Sequence, residues 1–242
     1  MVGVIVAPKA PPSESRTGNL VRDGLLVVSA ILMLAVLYLV FFWVPSDVNL
    51  GVSQRILYFH VPVAILGLGS ILVVAGASAI HLVTKSDKWD SLAYAAAELG
   101  TVLTSMAIVT GAIWAKPVWG VWWTWDPKLT LTLILWFTYV SYLMLRAYGP
   151  KGSQGARYGT VVALFGAINA PIVYYAAELW RTTHPSLVVG PAAESGSLPS
   201  SMAMVLLLST LTFILLSAYL LIERYSLKRS EAVVDELYQH IS

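Results

Sequence analysis

The sequence predicts an all-α integral membrane protein with six transmembrane helices and an outward-facing, Trp-rich interfacial segment between helices 3 and 4. Three observations predict it. Of the 242 residues, 57% are hydrophobic and only 12% are charged, with mean hydropathy +0.74; a soluble domain sits nearer half apolar and a quarter charged. Six apolar runs each approach the ~20 residues needed to cross a hydrocarbon core of about 30 Å as helix. The polar segments between them are short, and their basic residues are unevenly placed.

The chain opens on a Pro- and Ser-rich stretch that reads as a disordered polar tail. Val2 to Ala7 is too short for the apolar part of a signal peptide, and Pro8, Pro11 and Pro12 follow at once. The six runs are Leu25 to Val44, Val61 to Val83, Leu92 to Ala115, Leu129 to Ala147, Tyr158 to Ala177 and Met202 to Ile222. Helix is the form in which each can satisfy its own backbone in lipid. Residues 1–22 are expected as a cytoplasmic tail, 23–224 as the six-span domain and 225–242 as a charged cytoplasmic tail with a short helix outside the membrane.

Orientation follows from the Lys and Arg positions. Eleven of the 15 basic residues flank one side: Lys9, Arg16, Arg22, Lys85, Lys88, Arg146, Lys151, Arg157, Arg224, Lys228 and Arg229. The other side has Arg55, Lys116, Lys128 and Arg181. Basic loops stay in the cytoplasm, so both termini are expected inside and the first, third and fifth loops outside. In the second span, Gly67, Gly69 and Gly76 with Ala75, Ala77 and Ala79 predict close helix packing. Tyr174 and Tyr175 fit an interfacial aromatic belt.

Candidate chemistry gathers outside. Five of the nine Trp residues lie from Trp114 to Trp125, and Asp126 closes that run. If 119–126 is helical, Trp119, Trp122, Trp123 and Asp126 share one face at i, i+3, i+4 and i+7. Indoles offer broad flat apolar area with one N–H each, which suits a porphyrin better than a scattered belt does. Asp126 followed by Pro127 also reads as N-cap and N1 of the fourth span, so capping and ligand contact both stand open for it. Arg55 and Lys128 are outer cations suited either to propionates or to lipid headgroups; Arg181 is a weaker candidate of the same kind.

Of the four His, His81 and His240 read as bystanders. His60, in Tyr-Phe-His-Val-Pro, and His184, in Trp-Arg-Thr-Thr-His-Pro, share the outer face with the Trp run. Two neutral imidazoles can take both axial positions of a haem iron. The alternatives are His bonded to backbone or water, and a zinc site completed by Asp47, Asp126, Glu178 or Glu194. With no Cys, thiolate ligands and cysteine nucleophiles are excluded, and the chain has no Walker A pattern for an ATPase. No independent catalytic activity is expected of it.

Trp-Gly-Val-Trp-Trp-Thr-Trp-Asp, Trp119 to Asp126, closely resembles the WWD signature of haem-handling membrane proteins of cytochrome c maturation. The length, one His on either side of the motif and the likeness over nearly the whole chain most resemble the haem exporter protein C (CcmC) family. The relatives CcmF and CcsA are larger, with more spans and more His. The resemblance implies haem b held at the periplasmic face of a bacterial inner membrane. Its implied iron ligands are His60 and His184, and its implied platform is Trp114, Trp119, Trp122, Trp123, Trp125 and Asp126. It also implies presentation of haem to the chaperone CcmE, with partners CcmA, CcmB and CcmD. The chain departs from the pattern at Pro127-Lys128, where a small residue and Arg are expected; Lys keeps the charge without the planar fork.

Two rival expectations remain. A haem permease needs polar or ligating groups inside the spans, where Glu98 is the main ionisable residue, either paired or near water. A structural membrane subunit without haem would use the Trp run to dock a partner.

Overall fold

Six long helices make up this computed structural model, which describes residues 16–150, 152–180, 182–185 and 198–241. They are α1 (Arg16–Tyr38), α2 (Leu57–Thr84), α3 (Asp87–Trp119), α4 (Pro127–Tyr148), α5 (Gly152–Trp180) and α6 (Ser200–Ile241). Each belongs to a segment long and apolar enough to cross a membrane, and the described residues contain no strand. The chain is a multi-pass, all-α membrane protein, as its composition predicts.

The helices outrun the apolar runs because their ends are set by caps rather than by hydropathy. Lys85, with φ +56°, turns the chain left-handed after α2 and donates its N–H to the His81 carbonyl at 2.8 Å. Gly120, with φ +77°, does the same after α3, and there a residue without a Cβ carries no steric cost. Asp126 caps α4 with Pro127 in its first turn. The first span ends in a π-helical turn, Leu39–Trp43, and the loop after it rises into α2 through a 3-10 turn, Val52–Ile56. The expected tail helix is continuous with the last span, since α6 runs on to Ile241. The N-terminal residues 1–15 lie outside the described residues.

Helices α2, α3, α4 and α5 pack around one another; α6 lies on α2 and α3, and α1 lies on α6. The main core joins Ile71 and Val74 of α2, Ala93 and Ala97 of α3, Leu135, Tyr139 and Tyr142 of α4, and Ala163 and Ala170 of α5. Close approach depends on missing side chains. A Cβ on Gly100 would overlap the Tyr139 ring, and one on Gly67 would sit 2.9 Å from Thr104 Oγ1. Tyr139 is fully buried and donates its hydroxyl to the Gly67 carbonyl at 2.7 Å. Of the small residues expected to form a packing surface on α2, Gly67 does so and Ala75 and Ala77 are buried, whereas a Cβ added at Gly69 or Gly76 would meet nothing within 4 Å. The rotation of α2 turns those two glycines away from its neighbours.

Several polar groups of the bundle are matched between helices. Pro62 has no N–H to give the Tyr58 carbonyl one turn back in α2; the Ser209 hydroxyl of α6 donates to that carbonyl instead. Arg146 of α4 grips Asp90 of α3 through two bonds of 2.5 and 2.6 Å. Glu98, the one charged residue in the apolar run Leu92 to Ala115 of α3, is paired with Arg224 of α6 at 2.5 and 2.8 Å. Arg22 of α1 meets Glu223 of α6 at 2.8 Å.

Candidate functional site

One apolar cavity opens at the end of the bundle that carries the 120–126 loop, and it receives both candidate His residues. Its walls come from α2 (Leu57, His60, Ala64, Leu68), α3 (Thr104, Ala107, Ile108, Gly111, Trp114, Val118, Trp119), the α3–α4 loop (Trp123), α4 (Lys128, Leu129, Leu135) and α5 (Val173, Tyr174). His184 and Pro185, just beyond α5, close it from the side. Beneath it lies the core packed around Ile71, Leu135 and Tyr139.

His60 stands in the first turn of α2. Its Nδ1 is 3.0 Å from Thr110 Oγ1, and its ring meets the Trp114 indole edge-on, with centroids 6.0 Å apart. His184 donates Nδ1–H to the carbonyl of Pro185 at 2.9 Å, since that carbonyl can only accept. This leaves its Nε2 with a free lone pair. Burial, followed by the Lys128 cation beside it, pushes the His184 imidazole down to about 4, against the opposing pull of the Pro185 carbonyl, Asp126 and Glu178. It is therefore neutral at pH 7, the form that can ligate a metal.

The Trp residues divide. Trp114 and Trp119, both on α3, and Trp123 line the cavity. Trp122 and Trp125 are 58% and 76% exposed and do not line it; Trp125 stacks edge-on against Trp123 at 5.8 Å. The helical spacing expected of 119–126 is not adopted. Gly120 ends α3 and Asp126 begins α4, so residues 121–126 are extended or bent between two caps. Trp114 and Trp119 share the cavity instead through the helix of α3 itself.

Asp126 takes the capping role. Its Oδ1 accepts from the Leu129 N–H at 3.0 Å. Its Oδ2 accepts from Thr124 at 3.0 Å and from Thr183, the neighbour of His184, at 2.9 Å. It does not line the cavity. Lys128 does, and its Nζ makes a long contact, 3.5 Å, to the Tyr174 carbonyl. Arg55 lies outside the cavity, its guanidinium carbon 6.0 Å from the centre of the Phe41 ring. Arg181 and Glu194 fall outside the described residues. Among the described residues no three His, Asp or Glu side chains gather into a metal site, so the zinc alternative lacks its ligands there.

Thr110, Thr183 and the cavity-lining Tyr174 were not singled out by the sequence as site residues. A Thr on a lipid-crossing helix carries no local signal of the ring it will face. What the arrangement can do is plain from its parts. It offers imidazole lone pairs, flat aromatic walls and one cation. The indole N–H groups of Trp114 and Trp123 are buried and have no hydrogen-bond partner among the described residues. Buried donors are rarely left unpaired, and this donor set suits a flat, apolar, metal-bearing ligand with anionic groups.

The family profile of haem exporter protein C (CcmC) matches residues 8–237. The chain is 40% identical over 186 residues to "Heme exporter protein C" of Escherichia coli strain K12, covering 76% of this chain and 74% of that one. It is 33% identical over 184 residues to the protein of the same name in Haemophilus influenzae, with the same coverage of 76% and 74%. To a "Putative cytochrome c biosynthesis ccmC-like mitochondrial protein" of Marchantia polymorpha it is 34% identical over 148 residues, 61% of this chain and 62% of that one. With a profile match across nearly the whole length and relatives of this similarity, the chain belongs to the haem exporter protein C family.

Proposed function

We propose that this protein holds haem in the cavity beside the Trp loop and presents it for attachment to a haem chaperone. Membership of the family ties the chain to haem handling in cytochrome c biogenesis. The observation that carries the finer reading is that His60 and His184, from opposite ends of the chain's middle, line one apolar cavity with three indoles. Haem b is the form read for the cargo, with the two Nε2 atoms as its axial ligands. Trp114, Trp119 and Trp123 cover its faces and edges. The Trp114 and Trp123 N–H groups and the Lys128 ammonium receive its propionates. Trp122, Trp125 and Asp126 complete the platform from outside, the first two as exposed apolar surface and the third as a clasp. Arg55 joins them at the same end of the bundle.

The protein's own contribution is position, ligation and exclusion of water; the iron chemistry is the haem's. The chaperone in this reading is CcmE, and the partners are CcmA and CcmB, which would supply any energy input, with CcmD. The membrane is the bacterial inner membrane, with both termini cytoplasmic and the cavity periplasmic, as the basic residues are distributed. Holding is favoured over passage through this chain by the packed core beneath the cavity. There Tyr139 is fully buried against Gly100 and Gly67, and Glu98, the polar group a permease would use, is neutralised by Arg224.

The test is a haem spectrum. Purified in detergent with ample haem, the protein is expected to show a low-spin bis-imidazole spectrum. His60→Ala and His184→Ala are each expected to abolish it, and the double variant to lose haem on gel filtration. An unchanged spectrum in both single variants overturns the axial assignment; no haem in the wild-type protein overturns the function.

A further inference from the structure

We propose that Thr110 is a positioning residue for His60: its hydroxyl accepts the Nδ1–H of the imidazole and so fixes Nε2 as the nitrogen that faces the cavity with a free lone pair. The proposal rests on the reading of His60 as an iron ligand, and extends it to a residue on another helix.

The protons at this contact can be counted. A Thr hydroxyl has one hydrogen and two lone pairs. Thr110 Oγ1 lies 2.7 Å from the Met106 carbonyl of its own helix and 3.3 Å from that of Ala107. Carbonyls only accept, and the nearer of them, that of Met106, is well placed to take the single hydroxyl hydrogen. What Thr110 Oγ1 has left for His60, 3.0 Å away, is a lone pair. With the hydroxyl hydrogen on the Met106 carbonyl, the proton in the bond to His60 is carried by Nδ1. A neutral imidazole carries one N–H, so Nε2 is bare.

The surroundings hold the ring as well as its tautomer. Gly111 follows Thr110, and a Cβ there would lie 3.1 Å from His60 Cε1. Trp114, one turn on, meets the same ring edge-on. Positions 110, 111 and 114 thus make one slot on α3: an acceptor, a gap and a wall. His184 reaches the same tautomer by another route, through the Pro185 carbonyl. The two candidate ligands therefore present the same nitrogen. A hydrogen bond from the remote nitrogen of a ligating His orients the ring and raises its basicity, and losing such a partner lowers metal affinity by roughly 10- to 100-fold.

Thr110→Val keeps the branched shape and removes the acceptor; Thr110→Ser keeps the hydroxyl. Two readouts separate the questions. In haem-free protein labelled with 15N-histidine, His60 is expected to show the Nδ1–H tautomer in the wild type and in Thr110→Ser, and a shift towards Nε2–H in Thr110→Val. In the full-length protein loaded with haemin, Thr110→Val is expected to bind about tenfold more weakly and to have a raised midpoint potential, because a less basic ligand favours the ferric state less. Thr110→Ser should restore both. If Thr110→Val matches the wild type in tautomer, affinity and potential while His60→Ala loses the haem spectrum, Thr110 has no positioning role. If His60→Ala keeps the wild-type spectrum, the ligand reading itself fails, and the proposal falls with it even where the tautomer shift is seen. Should Thr110→Val not fold, Thr110→Ala also removes the acceptor, and the same measurements on it decide between the same outcomes.

Discussion

The Asp126 carboxylate accepts three hydrogen bonds with two different consequences. The bond from the Leu129 N–H starts α4, and the bond from Thr183 ties down the segment that carries His184. The two can be separated by substitution. Asp126→Ala removes both, and the lost cap alone costs about 1 kcal/mol, so a lower melting temperature in detergent is expected together with weaker haem retention. Thr183→Val leaves the cap in place; the melting temperature is expected to stay near that of the wild type while haem is retained less well on gel filtration. Equal haem retention in Thr183→Val and wild type shows that the tie does not serve the site. The Asp-Pro pair made the cap legible in the sequence. The Thr183 bond was not legible, because it joins residues far apart along the chain whose meeting depends on how α4 and α5 pack.

Helix boundaries were legible wherever a residue states them chemically. Asp126-Pro127 marked the start of α4. Gly120 equally marks the end of α3, and it breaks the single face expected for 119–126. Hydropathy alone underestimates every helix, since the terminal turns are polar or aromatic and are carried by caps and ion pairs. Helix rotation is a different kind of property. Gly67, Gly69 and Gly76 look alike in the sequence, yet of the three only Gly67 lies where an added Cβ would meet another helix. Gly100 is the stricter case. Gly100→Ala drives a Cβ into the fully buried Tyr139 ring, which has no space to retreat, so a destabilisation of roughly 1–3 kcal/mol is expected. Thermal unfolding in detergent checks it, and Gly69→Ala, with nothing within 4 Å, is the control expected to unfold like the wild type. Equal melting temperatures for the two variants contradict the packing described for α3 and α4.

For the whole molecule, the ends of the bundle differ in charge and in construction. The termini end carries most of the basic residues, and some of them are drawn into ion pairs with Asp90, Glu98 and Glu223. The other end carries the cavity and its aromatic rim. Because the chain has no Cys, single introduced thiols report its orientation cleanly. Val48→Cys, at a position 99% exposed beside the cavity end, is expected to react with a membrane-impermeant maleimide in intact cells or spheroplasts. Lys88→Cys, exposed at the opposite end, is expected to react only after lysis. The reverse pattern would place the cavity in the cytoplasm and remove the basis for delivery to a periplasmic chaperone.

The sequence by itself determined the class of the protein, its six crossings, the α4 cap and the likeness to a haem-handling family. These rest on local quantities: the length of apolar runs against the thickness of a bilayer, capping chemistry at single positions, and a contiguous motif. Only the tertiary structure decided which residues share the cavity. It brought His60, His184, Trp114, Trp119, Trp123 and Lys128 together, left Arg55, Trp122 and Trp125 outside, and set Thr110 against His60. Those outcomes depend on the rotation and depth of each helix, and small residues such as Gly67, Gly100 and Gly111 set both through contacts that no stretch of chain contains alone.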